Sequence, residues 1–407
     1  MITTSNKRRA IVVGGSLGGL FAANMLLRKG WDVEVFERVP DELAGRGAGI
    51  VTHPELFEAM AAAGIPLDAS VGINVLSRVT LAQGGDVVLE NPLPQTLTAW
   101  GKMYQVLRDA FPDSLYRCGG NVVAVESTET HANVSLADGT VHKADMVIAA
   151  DGVRSTIRQH FLPDVHLQYA GYIAWRGLVD ESALSDSAHT ALFDKFAFCL
   201  PPHEQILGYP VAGHSNSTRV GERRYNFVWY RTSGDNELRD LLRDESGKQF
   251  EGGIPPGLIR RDVLETMYDS ARTLLAPQFA EVVTKAAQPL FQPIYDLEVP
   301  KMNFGRVALL GDAAFVARPH CGMGVTKAAG DALAIVEALD RHDSIEMALA
   351  EYSERRCRFG ASVVQHARHL GAYMQAQLKS EEEREMAELY RTPEAVMRET
   401  AVPVNFR

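Results

Sequence analysis

The chain has 407 residues, 46% of them apolar, and a formal net charge of -10. That length can bury a large core in roughly two or three domains, while the acidic balance excludes nucleic acid and anionic membrane as partners, because both require a basic footprint. The four cysteines, Cys118, Cys199, Cys321 and Cys357, lie far apart with no C-x-x-C pair, which excludes a disulfide framework or a zinc site and predicts a reducing compartment.

The opening stretch "MITTSNKRR" leads directly into a buried-looking strand, without the apolar region of a signal peptide, and no uninterrupted apolar run of membrane-spanning length follows. A cytoplasmic protein is expected. "RRAIVVGG" reads as a short buried strand, "LGGLFAANMLLRKG" as a helix that Gly30 ends, and "WDVEVFER" as a second strand. Together they form one strand-helix-strand unit, the start of a doubly wound parallel sheet. Residues 76–96 read as a polar hairpin turning at "QGGD", and "WGKMYQVLRDAF" as a helix. "NVVAVESTETHANVSLADGTVHKADMVIAADG" reads as strands around turns near Glu129 and Asp138-Gly139, the last apolar enough to return to the central sheet.

From about 165 to 294 the texture changes to alternating stretches, "TALFDKFAFCL", "QILGYPVAG" and "RRYNFVWYRT", which predict an antiparallel sheet with one face covered. "GRVALLGDAA" returns to a buried strand of the first kind, and the remainder is helical, with "SEEEREMAELY" as a solvated helix face. The fold class expected is α/β: a doubly wound Rossmann-like domain, an inserted, mainly antiparallel β-sheet substrate domain, and a helical C-terminus. The boundaries expected are 1–75, 97–164 and 295–345 for the first domain, 76–96 and 165–294 for the second, and 346–407 for the helical region.

Two glycine-rich turns stand out. In "GGSLGG" the G-x-G-x-x-G spacing falls on Gly14, Ser16 and Gly19: Gly14 for the tight turn, Gly19 for close helix-strand packing, and small Ser16 in place of the middle glycine. Amide groups at such a helix start favour a pyrophosphate, and Glu37 at the end of the second strand can accept from ribose hydroxyls. The same letters contain G-x-S-x-G, Gly14-Gly15-Ser16-Leu17-Gly18, the elbow of a serine hydrolase; an elbow needs an earlier strand-helix connection for its oxyanion loop, and none precedes Ser16. The second turn, in "GRVALLGDAAFVARPHCGMGVTKAAGDA", follows Gly311 and Asp312 with a Gly322–Gly324 loop that opens a helix. Asp312 can accept from ribityl hydroxyls, and the helix start can face the pyrimidine edge of a flavin, where charge collects on reduction. Two turns so far apart make sense if the ligand is FAD, gripped at both ends.

"VVGGSLGGL" with Glu37, "ADMVIAADGVRSTIR" and "GRVALLGDAAFVARPHCGMG" resemble the three fingerprints of the class A, single-component FAD-dependent aromatic hydroxylases of the para-hydroxybenzoate hydroxylase fold. "RGAGIVTHPE", "AGYIAWRG" and "ARPHCGMGVTKAAGDA" look like its 2,6-dihydroxypyridine hydroxylase branch. The resemblance implies FAD contacts at Gly14, Ser16, Leu17, Gly19, Glu37, Arg38, Arg46, Gly47, Arg108, Val123, Asp151, Gly152, Gly311, Asp312, Pro319, Gly322, Met323 and Gly324. Phe315 stands where many relatives have histidine, Thr326 where they have asparagine, and Trp100 where an arginine often begins the helix; Arg46 and Arg108 are the substitutes for that arginine.

The resemblance also implies NAD(P)H as a transient cosubstrate, docking near Asp151-Gly152, and dioxygen, delivered through a flavin hydroperoxide to an electron-rich aromatic or N-heteroaromatic ring. The alternatives on this fold are a halogenase, whose W-x-W-x-I-P stretch is absent, and an oxidase or reductase. Removing a proton from a ring hydroxyl would help, and His53, Tyr209 and His320 are the candidates for that work. Arg176 in "AWRG" reads as a brace of the domain junction, with contact to an anionic substrate as the alternative. Of the aromatic cluster Phe227, Trp229 and Tyr230, one is open to line the pocket. His366 and His369 share a helix face without a third ligand, so no metal is expected. The protein is expected to be a monomer or homodimer.

Overall fold

The computed structural model describes residues 7–41, 43, 49–65 and 71–402. Its first layer is a six-stranded sheet built on Arg9–Val13, a strand whose apolar side chains are buried on both faces. This is the pattern of a parallel strand covered by helices on either side. It pairs in parallel with Asp32–Glu37 and Met146–Ala149. Tyr116–Cys118 extends one side, Val307–Leu309 and the antiparallel edge strand Asn303–Phe304 the other. Helix Leu17–Arg28 packs on helix Gly324–Arg341, which in turn packs on the long helix Ile345–Gly371. Alanine and glycine dominate the first two, which permits close approach. A three-stranded sheet of Val122–Ser127, Ala132–Leu136 and Val141–Ala144 lies alongside.

The second layer is an eight-stranded sheet in the order Leu290–Asp296, Gln168–Asp180, Arg224–Thr232, Gln205–Val211, Lys195–Cys199, Ile73–Leu81, Val87–Ala99 and Gly49–Val51. All its pairs are antiparallel except Lys195–Cys199 with Ile73–Leu81. Its strands alternate faces, and the two faces do different work. Ile173, Trp175, Phe227 and Trp229 point outward into a core closed by helices Arg261–Leu274 and Pro277–Lys285. Tyr172, Ala174, Val228 and Tyr230 point inward with Phe196, Leu207 and Tyr209. Each fully buried aromatic on the outer face adds about 1.5 to 3 kcal/mol.

The structure differs from the expectation in places. Residues Asp186–Leu192 are helical, so "TALFDKFAFCL" contains a strand only over Lys195–Cys199. The helices Arg261–Leu274 and Pro277–Lys285 lie where only sheet was expected, and they are what covers its outer face. The hairpin strands run Ile73–Leu81 and Val87–Ala99, so the boundaries placed at 76 and 97 fall inside strands. Gly49–Val51 also joins the second sheet rather than the first. The boundary at 346 falls at the start of the helix Ile345–Gly371.

Candidate active site

A single cavity of about 830 Å³ runs between the two large sheets. At one end it is lined by Ser16, Leu17 and Gly18 of the first glycine turn with Ala150 and Gly152; at the middle by Gly311, Asp312, Pro319, Gly322 and Gly324 of the second. At the far end it reaches Arg176, Tyr209 and Tyr230 on the inner face of the eight-stranded sheet.

The first turn is built by steric necessity. Gly14 has φ +103°, and a Cβ there would stand 2.3 Å from the Ala150 carbonyl oxygen; a Cβ on Gly19 would stand 1.9 Å from the Gly14 oxygen. Both glycines serve packing and neither lines the cavity. Ser16 occupies the N-cap position of helix Leu17–Arg28, yet its hydroxyl makes no capping bond. That leaves the hydroxyl and the helix-start amides open toward the cavity. No side chain among the described residues hydrogen-bonds Ser16, so the elbow reading has no base to activate it. Glu37 turns its carboxylate to the backbone, accepting from Gly15 N–H at 2.8 Å and Val39 N–H at 2.9 Å. Its place is therefore at the base of the turn, outside the cavity lining.

The second turn supplies a different fit. The Asp312 side chain is exposed to the cavity, and no described group hydrogen-bonds its carboxylate. The protein packed around the cavity raises its pKa by desolvation, opposed by the Lys327 ammonium and reinforced by Asp331. Lys327 and Asp331 are themselves buried at 3.7 Å, and Asp331 also accepts from Gly311 N–H at 3.0 Å and from Arg356 at 2.5 Å. A Cβ added at Gly152 or Gly324 would meet nothing within 4 Å. Space left at Gly152 and at Gly324 of the second turn, an unpartnered acid on the cavity wall and a continuous volume are what an elongated dinucleotide needs. The residues present fit FAD.

Other expected contacts sit elsewhere. Arg108 pairs with Asp113 at 2.7 Å, donates to the Phe111 carbonyl at 3.1 Å and lies over the Tyr116 ring. It does not reach the cavity wall; Trp100, stacked on Tyr104, does. Asp151 accepts from Ile157 N–H at 3.2 Å at the start of helix Thr156–Phe161, with its pKa raised by burial. Arg38 and Val123 are exposed at the surface, and Met323 is buried against Val363 and Leu370. Arg46 and Gly47 lie outside the described residues. Phe315 fills the space over Gly360, where a Cβ would stand 2.5 Å from its ring.

The three candidates for proton removal separate. His53 is fully buried beneath Gly322, does not line the cavity, and has neither ring nitrogen hydrogen-bonded among the described residues. Burial lowers its pKa, opposed by the Glu55 carboxylate. His320 does line the cavity, but burial, with the nearby Arg318 and Arg176 cations, pushes its pKa down to about 3. It is a neutral ring at ordinary pH. Its Nε2 lies 2.7 Å from the Tyr172 hydroxyl, whose own pKa is raised by burial. The two groups are hydrogen-bonded to one another, and the other ring nitrogen, Nδ1, is buried with no partner among the described residues. Tyr209 lines the cavity with its pKa pushed up to about 12 by burial. Tyr209 therefore stands at the cavity wall as a donor rather than a base.

Sequence reasoning missed two parts of the wall and one group behind it. Tyr172, behind the wall, is visible only as His320's partner, 148 residues away in the sequence. Phe196 stacks near Tyr209 at 4.9 Å and carries the buried Arg78 over its ring. Arg78 in turn donates to the carbonyls of Met397, Thr400 and Ala401, and Ala401 N–H donates to the His320 carbonyl at 2.7 Å. Thr400 and Ala401 thus close one side of the cavity. Among the described residues no cluster of His, Cys, Asp or Glu could hold a metal, and His369 is instead paired with Glu382. No helix among them is long and apolar enough to cross a membrane.

A family model described as "FAD binding domain" matches residues 7–166 and 273–367, and a second, "FAD binding domain-like", matches 169–296. The chain is 30% identical to 2,6-dihydroxypyridine 3-monooxygenase of Paenarthrobacter nicotinovorans over 90% of its length and 91% of that protein's. It is 28% identical to 6-hydroxynicotinate 3-monooxygenase of Pseudomonas fluorescens over 90% of this chain and 91% of the other. The solved structure of 2,6-dihydroxypyridine-3-hydroxylase from Arthrobacter nicotinovorans superposes with a TM-score of 0.85 at 30% identity, covering 91% of this chain and 93% of that one. With both glycine turns, the intervening acid and the inserted sheet in place, the chain belongs to the FAD-binding family of flavin-dependent ring monooxygenases.

Proposed function

We propose that this protein is an FAD-dependent monooxygenase that hydroxylates an electron-rich, hydroxylated aromatic or N-heteroaromatic ring, consuming NAD(P)H and dioxygen. The observation that carries the reading is the cavity that joins both glycine turns to the inner face of the eight-stranded sheet. Ser16, Leu17 and Gly18 would hold the pyrophosphate, Asp312 the ribityl chain, and the Pro319–Gly324 loop the flavin ring. Bound FAD, reduced by NAD(P)H, supplies the activation of dioxygen and the transfer of one oxygen atom.

The protein supplies position, dryness and hydrogen-bond donors. Phe196, Leu207, Val228 and Ile294 give the ring pocket an apolar wall, which excludes water and strengthens every polar contact inside it. Tyr209 presents a protonated hydroxyl, and His320 a neutral ring whose orientation Tyr172 fixes. Small hydroxylated pyridines and hydroxybenzoates are the substrate class this wall suits.

The test is steady-state oxidation of NADH and NADPH by the FAD-loaded protein across a panel of hydroxylated pyridines and benzoates. Acceleration by at least one ring is expected. A rate that no ring raises above the background would overturn the proposal.

A further inference from the structure

Arg176 is the one charged side chain in the ring-pocket end of the cavity that has no counter-ion among the described residues. It stands on the long strand Gln168–Asp180, on the inward face shared with Tyr172 and Ala174. Its cross-strand neighbours in register are Val228 on one side and Leu290 on the other, so neither adjacent strand offers an acid. Its Nε is buried and unpartnered. It is near enough to Tyr209, Tyr230 and His320 to affect the ionisation of all three, which places the guanidinium among the ring-pocket residues.

The other charges on the wall are accounted for. Arg318 is paired with Asp296 at 2.8 Å, and both are buried. Arg154 donates to the Glu251 carbonyl at 2.6 Å in an exposed loop. Glu251 is exposed, and Asp312 belongs to the second glycine turn. Arg176 is half-buried, with its Nε shut off from solvent and unpartnered, so its guanidinium is poorly hydrated yet faces the cavity without an acid beside it. An oxyanion on the ligand would compensate it through charge-assisted hydrogen bonds from a fork of donors.

The chemistry narrows which oxyanion. Hydroxylation needs an electron-rich ring, and ionising a ring hydroxyl is the direct way to make one. His320 is held neutral and His53 lies outside the cavity, so the wall presents no base that titrates near neutrality. We infer that Arg176 is the counter-ion of the substrate and that the ring binds as the anion of its own hydroxyl group, making acidic hydroxy-N-heteroaromatics the preferred class. This rests on the hydroxylase reading above and names the substrate form for the same site. Arg176 is thereby reassigned from the domain-junction brace expected from the sequence.

The experiment titrates FAD-loaded wild-type, Arg176→Gln and Arg176→Lys proteins with three probes, read by the change in flavin absorbance. The probes are 2,6-dihydroxypyridine, which ionises at ring oxygen; 2-methoxypyridine, which cannot; and 6-hydroxynicotinate, which adds a carboxylate. FAD retention of each variant is measured alongside. The inference predicts that Arg176→Gln weakens 2,6-dihydroxypyridine binding on the order of 10- to 100-fold. It also predicts partial recovery in Arg176→Lys, no change for the methoxy probe and no change in FAD retention. Equal binding of the dihydroxypyridine by wild type and Arg176→Gln overturns it. So does a loss confined to 6-hydroxynicotinate, which would make Arg176 a carboxylate anchor, or a loss of FAD with ring binding intact. If no probe perturbs the wild-type flavin, the hydroxylase reading itself falls and takes this inference with it, a result distinct from the other three.

Discussion

Two glycines with different surroundings allow packing and ligand effects to be separated at single residues. Gly14 is needed for the fold, because its positive φ and the Ala150 carbonyl at 2.3 Å leave no place for a Cβ. Gly324 opens the helix Gly324–Arg341 and has nothing within 4 Å of a Cβ. Gly324→Ala is therefore expected to leave the melting temperature of the flavin-free protein unchanged or slightly raised, since alanine suits a helix better by about 0.5 to 1 kcal/mol. The same variant should lose FAD affinity, as measured by fluorescence on titration, because the methyl projects into the flavin's space. Unaltered FAD binding would remove this glycine from the flavin site.

His320 offers a second prediction at this scale. The unfolded chain takes up its proton near 6.5, the folded ring only near 3, so the native state is proton-poor between them. Stability from this residue is complete above pH 6.5 and falls as the pH is lowered toward 3, by about 1.4 kcal/mol per pH unit. Buried His53 and half-buried His366 shift the same way and add to the slope. Denaturant unfolding across that window should show a shallower loss in His320→Gln than in wild type. Identical slopes would mean that His320 is protonated in the native protein. Both glycine turns and His320 were legible in the sequence because their signals are local. Tyr172 as its partner and the missing counter-ion of Arg176 were not, since each depends on which strands lie side by side.

At the level of elements, the second sheet works because its two faces are separated by alternation. The stretch "RRYNFVWYRT" already displayed that alternation, and the structure assigns Phe227 and Trp229 to the outer core and Tyr230 to the cavity. The covering helices were missed because the long run of strand-like sequence around them set the reading for the whole interval. Helix Arg261–Leu274 buries only Val263, Met267 and Ala271 fully, a narrow stripe in a charged segment.

The C-terminal segment was read as helical, with "SEEEREMAELY" as a solvated face, yet Thr400 and Ala401 near its end form part of the cavity wall and residues 397–401 are tied down behind it. Arg78 holds them: its fully buried guanidinium donates to three of their carbonyls and to Gln95, with burial lowering its pKa to about 9. Replacing it by Met leaves those carbonyls buried without donors. Arg78→Met should cost about 2 to 4 kcal/mol of stability and raise amide hydrogen exchange across residues 396–402. Unchanged exchange there would show that the segment is held by its apolar contacts alone.

For the whole molecule, the architecture answers why one chain carries two glycine turns so far apart. Each turn ends a strand of the same parallel sheet, and strands Arg9–Val13 and Val307–Leu309 both flank Met146–Ala149, which brings the turns to one edge. The eight-stranded sheet then faces that edge and completes the cavity. The sequence revealed the class of cofactor because both turns are short motifs with fixed chemistry. It left the ring pocket open because that wall is assembled from side chains of segments far apart in the sequence.

The central claim is that this cavity brings a reduced flavin, dioxygen and an ionised ring together in one enclosed volume. Its most direct test is turnover of the FAD-loaded protein with NAD(P)H and 2,6-dihydroxypyridine under oxygen-18 gas, with the product analysed by mass spectrometry. The account predicts a ring product carrying one oxygen-18 atom for each NAD(P)H consumed in coupled turnover. Recovery of all the label as hydrogen peroxide and water, with the ring unchanged across the hydroxypyridine and hydroxybenzoate panel, would contradict it.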